Sequence, residues 1–489
     1  MKKILKITAA VILSLAVVLA PVGFMLGVSF LAPSQYSNTF YGALDAKYQR
    51  LCSIEESKVV VVGGSSVAFG LDSELLEKYT GMPVVNFGLY ADLGTKLMLE
   101  LSRDHIKAGD IVILAPELDA QTLSMYFSWD NTLKAFDDDM SMLGELDRSV
   151  DEWLFSIEGF WNLASAKLGY TVNGNKPNPT DVYNANNFNE YGDIDPEKFP
   201  RENNILKGHY LAGENYEVNF DPAIVEPEFL EYLNDYILDC KEKEAEVYFT
   251  WCPVNDLAVS DPSSEKMTAF ENFFRQNLKC EVISNLADYK MESGWFYDTN
   301  FHLNDAGVKV RTVKLIKDLA RKYENMNVAS IDADENVPTE APEHKYSTDF
   351  DGTDNNADFF VFEQTKTGTY KIIGISDLGR TQKALIVPLG HLGKAVTEID
   401  VSIFADSACE KLIIPDGTNL SSMTGSFKGA SNLSEICIYE DDPGAVAPPS
   451  FSEAPAGLSV HVPSGSDYIT HYNWSPVADS FPNLIIEDL

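Results

Sequence analysis

Val59-Val-Val-Val-Gly-Gly-Ser-Ser-Val-Ala-Phe-Gly70 is the stretch whose reading decides the fold. Four β-branched residues in a row with no polar alternation read as a strand buried on both faces, the kind found in parallel sheets. The run passes into a Gly-Ser turn, and Ser66 sits at the carboxyl end of that strand, where open α/β sheets carry reactive groups. Working outward, 73–80 reads as a short helix with Gly81 in the C′ position, and 83–87 as a second strand. A helix over 93–107 leads to a third strand at 110–115. The fourth and fifth strands fall at 245–251 and 281–285, with a helix over 266–278 between them and a closing helix over 305–323. Strands spaced by helices predict an α/β domain over 58–324, a five-stranded parallel sheet with helices on both faces.

Between the third and fourth strands the chain makes a long insertion, 119–235, with aromatic residues such as Tyr126, Trp129, Trp153, Trp161, Tyr183 and Tyr191 and the cluster Asn184, Asn186, Asn187 and Asn189. A lid or binding surface over the strand ends and a plain structural elaboration both fit it. Residues 325–347 include Asp332-Ala-Asp-Glu-Asn-Val-Pro-Thr-Glu-Ala-Pro-Glu343, an acidic, proline-bearing stretch expected to be a linker. The Asp/Asn run from Asp349 to Asp358 does not have EF-hand spacing and reads as a solvated loop.

The last part, 348–489, repeats. Leu412-Ile-Ile-Pro415, Ile436-Cys-Ile-Tyr439 and Val460-His-Val-Pro463 are short β runs, and Ile414, Ile438 and Val462 recur every 24 residues. Phe404, Phe427 and Phe451 precede them at steps of 23 and 24. A period in the low twenties predicts a leucine-rich-repeat solenoid whose units bury their apolar faces by stacking. Leu385-Ile-Val-Pro388 reads as an irregular first repeat and the chain after Ser464 as a cap.

The chain has 489 residues, 45% of them apolar, enough for two or three domains with real cores. It carries 37 Lys and Arg against 74 Asp and Glu, a formal charge of −37, which argues against a nucleic-acid partner because phosphate binding needs a basic face. Met1-Lys-Lys-Ile-Leu-Lys6 precedes an uncharged apolar run from Ile7 to Ala32, longer than the roughly 20 residues a bilayer core requires. Residues 1–32 are expected to be a single-pass signal anchor with the bulk of the chain outside the cell, a cleaved signal peptide being the rival reading. Cys240, Cys252, Cys280, Cys409 and Cys437 show no metal-ligand spacing and read mainly as buried apolar residues; no metal and no cofactor is expected.

A serine becomes a nucleophile when a base takes its proton. Of the seven histidines, His344, His391, His461 and His471 fall in the linker or repeats, His105 at a helix end away from the strand tips, and His209 in the insertion. His302 remains, in Tyr297-Asp-Thr-Asn-Phe-His-Leu-Asn-Asp-Ala-Gly307, with Asp298 four residues before it and Asn304 placed to cap the closing helix. The order Ser, Asp, His suits acyl transfer or ester hydrolysis, with Asp298 orienting the imidazole.

Gly64-Ser-Ser-Val-Ala-Phe-Gly70, Asn86-Phe-Gly-Leu-Tyr90 and Asp298…His302 together resemble the blocks of the SGNH hydrolase superfamily, over about residues 58–322. The resemblance implies catalytic Ser66, Asp298 and His302, with the backbone amides of Ser66 and Gly88 as the oxyanion site. Two departures stand out. The acid and histidine are one residue farther apart than usual. The third block, Gly-x-Asn-Asp, is replaced by Ala115-Pro-Glu-Leu-Asp119, leaving no counterpart for its oxyanion asparagine unless Asn131 substitutes. The repeats resemble the BspA-type leucine-rich repeats of bacterial surface proteins. The expectation is therefore a membrane-anchored bacterial O-acyl esterase or acyltransferase acting on cell-surface carbohydrate or another acylated polymer, with a protein or glycan ligand for the repeats. The alternative is a non-catalytic surface binding or adhesion protein that uses the repeats.

Overall fold

The computed structural model describes residues 2–174, 176–202, 206, 217–342, 359–391, 394–415, 417–464 and 466–487. The chain divides into two compact units, one of Met1–Glu202, Val218–Tyr297 and Phe301–Pro342, the other of Asn203–Glu217, Asp298–Asn300 and Glu343–Leu489. The Asp349–Asp358 run, His344 and His209 lie outside the described residues.

In chain order the first unit has α1 (Lys2–Leu31), α2 (Ala43–Ser53), β1 (Val59–Gly63), α3 (Ser65–Ala68), α4 (Ser73–Thr80), β2 (Val84–Gly88), α5 (Thr95–Arg103) and β3 (Ile111–Ala115). The insertion follows with α6 (Trp129–Ala135), α7 (Val150–Asn173) and the crossover helix α8 (Pro227–Glu242). Then come β4 (Glu246–Phe249), a two-residue strand β5 (Val254–Asn255), α9 (Ser264–Asn277), β6 (Glu281–Val282), β7 (Lys290–Met291), α10 (Asp305–Ala320) and α11 (Ile331–Asp334). The main sheet runs β2-β1-β3-β4-β6 and is parallel throughout. Every residue of β1, β2 and β3 is buried, as the unbroken apolar runs require. Val59, Val61, Ile111 and Ile113 pack with Leu76 of α4 and Val313 and Ile316 of α10. The alternate residues face the other side, where α5 and α8 lie.

A buried ion pair fixes the base of this sheet. Lys58 Nζ donates to Asp110 Oδ2 at 3.0 Å and to His105 O at 3.0 Å, and Lys58 N donates to Asp110 Oδ1 at 3.0 Å. The two side chains are 1% and 0% exposed, so the residues entering β1 and β3 are clamped together away from water.

Three expectations from sequence are modified. The first part of the expected linker packs on the first unit: Met326 and Ile331 join its core, and Glu335 accepts from Lys78 Nζ and Tyr79 Oη, both at 2.7 Å. Its acidic composition hides a few well-placed apolar residues. Helix 93–107 is shorter, because Gly94 takes φ +78° and begins the helix at Thr95. α1 is one 30-residue helix whose carboxyl end packs on α7, where Met25 meets Phe160, Leu163 and Ala164. Within the expected apolar span the side chains of 7, 9–16 and 18 lie outside the described residues. Among the described residues no helix is long and apolar enough to cross a membrane.

The second unit begins with β8 (Phe360–Gln364) and β9 (Tyr370–Ile375), an antiparallel pair, then β10 (Ala384–Ile386), β11 (Gly390–His391), β12 (Lys394–Asp400), β13 (Lys411–Ile414), β14 (Ser422–Thr424), β15 (Glu435–Ile438), β16 (Ser459–Pro463), α12 (Ser475–Ser480) and β17 (Leu484–Glu487). One sheet runs β10-β13-β15-β16-β17, all parallel, with Leu412, Ile436, Val460 and Leu484 in one cross-strand row at intervals of 24 residues. The chain after Ser464 thus supplies a further strand in the same register. Phe404, Phe427, Phe451 and Phe481 stack behind it with centroids 6.4, 5.8 and 4.4 Å apart. All six cysteines are free thiols, five of them buried.

Removing one member of a dry ion pair leaves the other charge uncompensated. Lys58→Met is expected to destabilise the first unit by about 3–5 kcal/mol, with part of the loss restored by Asp110→Asn in the same chain. Guanidinium unfolding followed by tryptophan fluorescence measures both.

Candidate active site

The chain leaves β1 at the place where strand order reverses: β2 lies on one side of β1 and β3 on the other. Crevices outside the carboxyl ends of two such strands are where open α/β sheets bind ligands. Gly63 is in register with Gly88 of β2 and Ala115 of β3. Small residues are required here. A Cβ on Gly63 would lie 2.5 Å from Ala115 O, and one on Gly88 would lie 2.4 Å from Val67 Cβ and 2.6 Å from Gly64 O. The space they leave admits the single turn α3, which carries both serines.

His302 reaches this turn, and the residue it meets is Ser65. Its Nε2 lies 2.7 Å from Ser65 Oγ, a contact that joins positions 237 residues apart. Ser66, nominated from sequence, is turned inward: it is fully buried and its Oγ has no hydrogen-bond partner among the described residues. Of the two adjacent serines, the hydroxyl that faces the imidazole is that of Ser65.

Local structure holds His302 in place. Phe296 and Leu303 bridge antiparallel, Tyr297 N donates to His302 O at 2.8 Å, and Asn304 Oδ1 accepts from Gly307 N at 2.9 Å to cap α10. The Phe69 ring stacks on the imidazole with centroids 3.8 Å apart and planes 5° from parallel. Tyr183 and Phe188 of the insertion extend this aromatic wall through Phe69 and Phe40. Arg201 ties the insertion to the same place, with Nη1 donating to Phe69 O at 3.0 Å and Nη2 2.9 Å from Asp305 Oδ1. Asp298 is half-buried in the turn before His302, and Asp298–Asn300 group with the second unit.

The strand tips bring in a residue the sequence reading passed over. Glu117, the second residue after β3, accepts from Ser65 Oγ at 2.9 Å and from Ser66 N at 2.6 Å, both through Oε1. Oε2 sits beneath Gly64, 2.4 Å from where a Cβ would be, and has no hydrogen-bond partner among the described residues. Burial pushes the Glu117 carboxyl above its ordinary range, and the nearby Asp119 adds to the rise. The hydrogen bond from Ser66 N, the proximity of His302 and the hydrogen bond from Ser65 oppose it. The available signal was topological: an acid just past the strand that neighbours β1 at the switch point.

Both amides nominated as oxyanion donors have acceptors within the chain. Ser66 N donates to Glu117, and Gly88 N donates to Asn86 Oδ1 at 3.2 Å. Asn86 is itself pinned, its Nδ2 donating to Val67 O at 2.9 Å and Asp193 Oδ1 at 2.7 Å. Asn131 lies in α6 with its amide donating to Asp92 O at 3.3 Å.

No family model matches the chain, and no curated protein matches it by sequence. Among solved structures, a T. pallidum leucine-rich repeat protein is similar over 22% of this chain and 70% of its own, at 16% identity and a TM-score of 0.15. A likeness that weak carries no argument about fold or role.

Gly88→Ala is expected to lower stability by about 1–3 kcal/mol through overpacking against Val67 and the Gly64 carbonyl. A fall in melting temperature measures it.

Proposed function

We propose that the first unit is a serine-dependent O-acyl esterase or acyltransferase of SGNH type, with Ser65 as nucleophile and His302 as base. The observation that carries this reading is the 2.7 Å contact between Ser65 Oγ and His302 Nε2 at the switch point of a parallel sheet. Hydrogen-bond reach between nucleophile and base is the first requirement for acyl transfer. Ser65 Oγ would bond to the acyl carbon while its proton passes to His302 Nε2. His302 would then return the proton to the departing alkoxide, leaving an acyl-serine. Water or a sugar hydroxyl would release the acyl group by the reverse steps. Asp298, four residues before His302, is the proposed orienting carboxylate.

The aromatic wall of Phe40, Phe69, Tyr183 and Phe188 supports an apolar site for the acyl group or a stacked sugar ring. The Ile7–Ala32 run supports anchoring to a membrane with the bulk of the chain outside the cell. The 24-residue spacing of parallel strands supports a leucine-rich-repeat solenoid that presents a surface for a glycan or protein ligand. A non-catalytic surface binding protein is the second reading, favoured by the internal acceptors that the Ser66 and Gly88 amides already have.

Ser65→Ala is expected to abolish p-nitrophenyl acetate turnover and fluorophosphonate labelling, whereas Ser66→Ala keeps both within a few-fold. Absence of turnover and labelling in the wild-type protein would sink the enzyme reading. Dependence on Ser66 instead of Ser65 would refute this assignment of the nucleophile.

A further inference from the structure

Ser65 Oγ stands between two groups that can accept its one proton, His302 Nε2 at 2.7 Å and Glu117 Oε1 at 2.9 Å. A hydroxyl donates once. An ionised carboxylate is an acceptor only, and hydrogen bonds to charged acceptors are the stronger ones. With Glu117 ionised, the Ser65 proton therefore points to the carboxylate and His302 cannot withdraw it. The same negative charge would stand 2.9 Å from the attacking oxygen, holding its proton away from the base. With Glu117 neutral, its hydroxyl can donate, and the Ser65 proton is free to turn to His302.

We propose that Glu117 is a protonation gate on the nucleophile: the site transfers acyl groups while Glu117 carries its proton and closes when that proton is lost. The inference rests on the hydrolase reading given above. Its geometry is independent of it: a buried carboxyl with one oxygen on both serines and the other, Oε2, without a hydrogen-bond partner among the described residues in a buried position beneath Gly64. The groups that face Glu117 are Asp119 on its own loop, His302 on the loop before α10, and Cys252 after β4, which in turn faces Arg311 of α10. The burial and the neighbouring Asp119 that raise the carboxyl's pKa act in the direction the gate requires.

The test is a pH profile of p-nitrophenyl acetate hydrolysis for the full chain, corrected for the uncatalysed rate, with Glu117→Gln, Glu117→Ala and Ser65→Ala. In wild type, kcat/KM is expected to fall about tenfold per pH unit above the Glu117 pKa, because only the protonated fraction works. Glu117→Gln, permanently neutral and of the same shape, is expected to lose that alkaline limb while melting normally. Glu117→Ala is expected to be slower at every pH. The same alkaline fall in Glu117→Gln, or its inactivity at all pH values, overturns the gate. Turnover that persists in Ser65→Ala instead overturns Ser65 as the nucleophile, and the gate with it. If no form of the protein turns over ester, the hydrolase reading fails and the gate fails with it; infrared spectroscopy reads the neutral state of Glu117 separately. A protonated-carboxyl stretch present in wild type at neutral pH and missing from Glu117→Gln supports it; no such stretch in wild type overturns it.

Discussion

The register of β1 between β2 and β3 is the constraint from which the rest of the first unit follows. Val59 pairs with Val84 on one side and Ile111 on the other, and the three strands stay in step until Gly63, Gly88 and Ala115 end them together. A one-residue slip would exchange the two faces of a strand buried on both. It would also bring larger side chains to the tips and leave no room for α3. The Lys58–Asp110 pair at the base and the close-packed glycines at the tip hold the same alignment from opposite ends.

That alignment places polar groups where water is excluded. Ser65, Ser66, Glu117, His302 and Asn86 are all buried, and each contact among them acts in a low dielectric where a well-formed hydrogen bond gains and an unformed one costs. The stacking of Phe69 on His302 and the cap at Asn304 restrict the imidazole, so its approach to Ser65 does not rest on one hydrogen bond alone. Local sequence chemistry builds each wall, and the sheet brings the walls together.

Where signals are local, the sequence was readable. The β1 strand and the helix at Ser73–Thr80 coincide with expectation because a β-branched run ends in glycines and a helix ends at a left-handed Gly81. His302 stood out by elimination, and its loop before a capped helix is where it was expected. The choice between adjacent serines was not readable from spacing. It depends on which hydroxyl the first turn after the strand directs to His302, and the close approach of that turn to Gly88 and Glu117 fixes it. Glu117 itself could not be paired with Ser65 from sequence, since the contact spans two neighbouring strands rather than one motif. The acidic stretch beyond Lys322 misled for a related reason: overall charge masks Met326 and Ile331, which are enough to pin it to the core.

In the second unit β15, β16 and β17 each pair in register with the strand 24 residues earlier, with Phe404, Phe427 and Phe451 as successive rungs. An in-frame duplication or loss of 24 residues between Lys411 and Val462 would rejoin equivalent positions, and the neighbouring rungs would close over the change. A loss of 12 would put a loop where a strand belongs. The length of this part of the chain is therefore free to drift in whole steps over evolutionary time, independently of the sheet that carries Ser65.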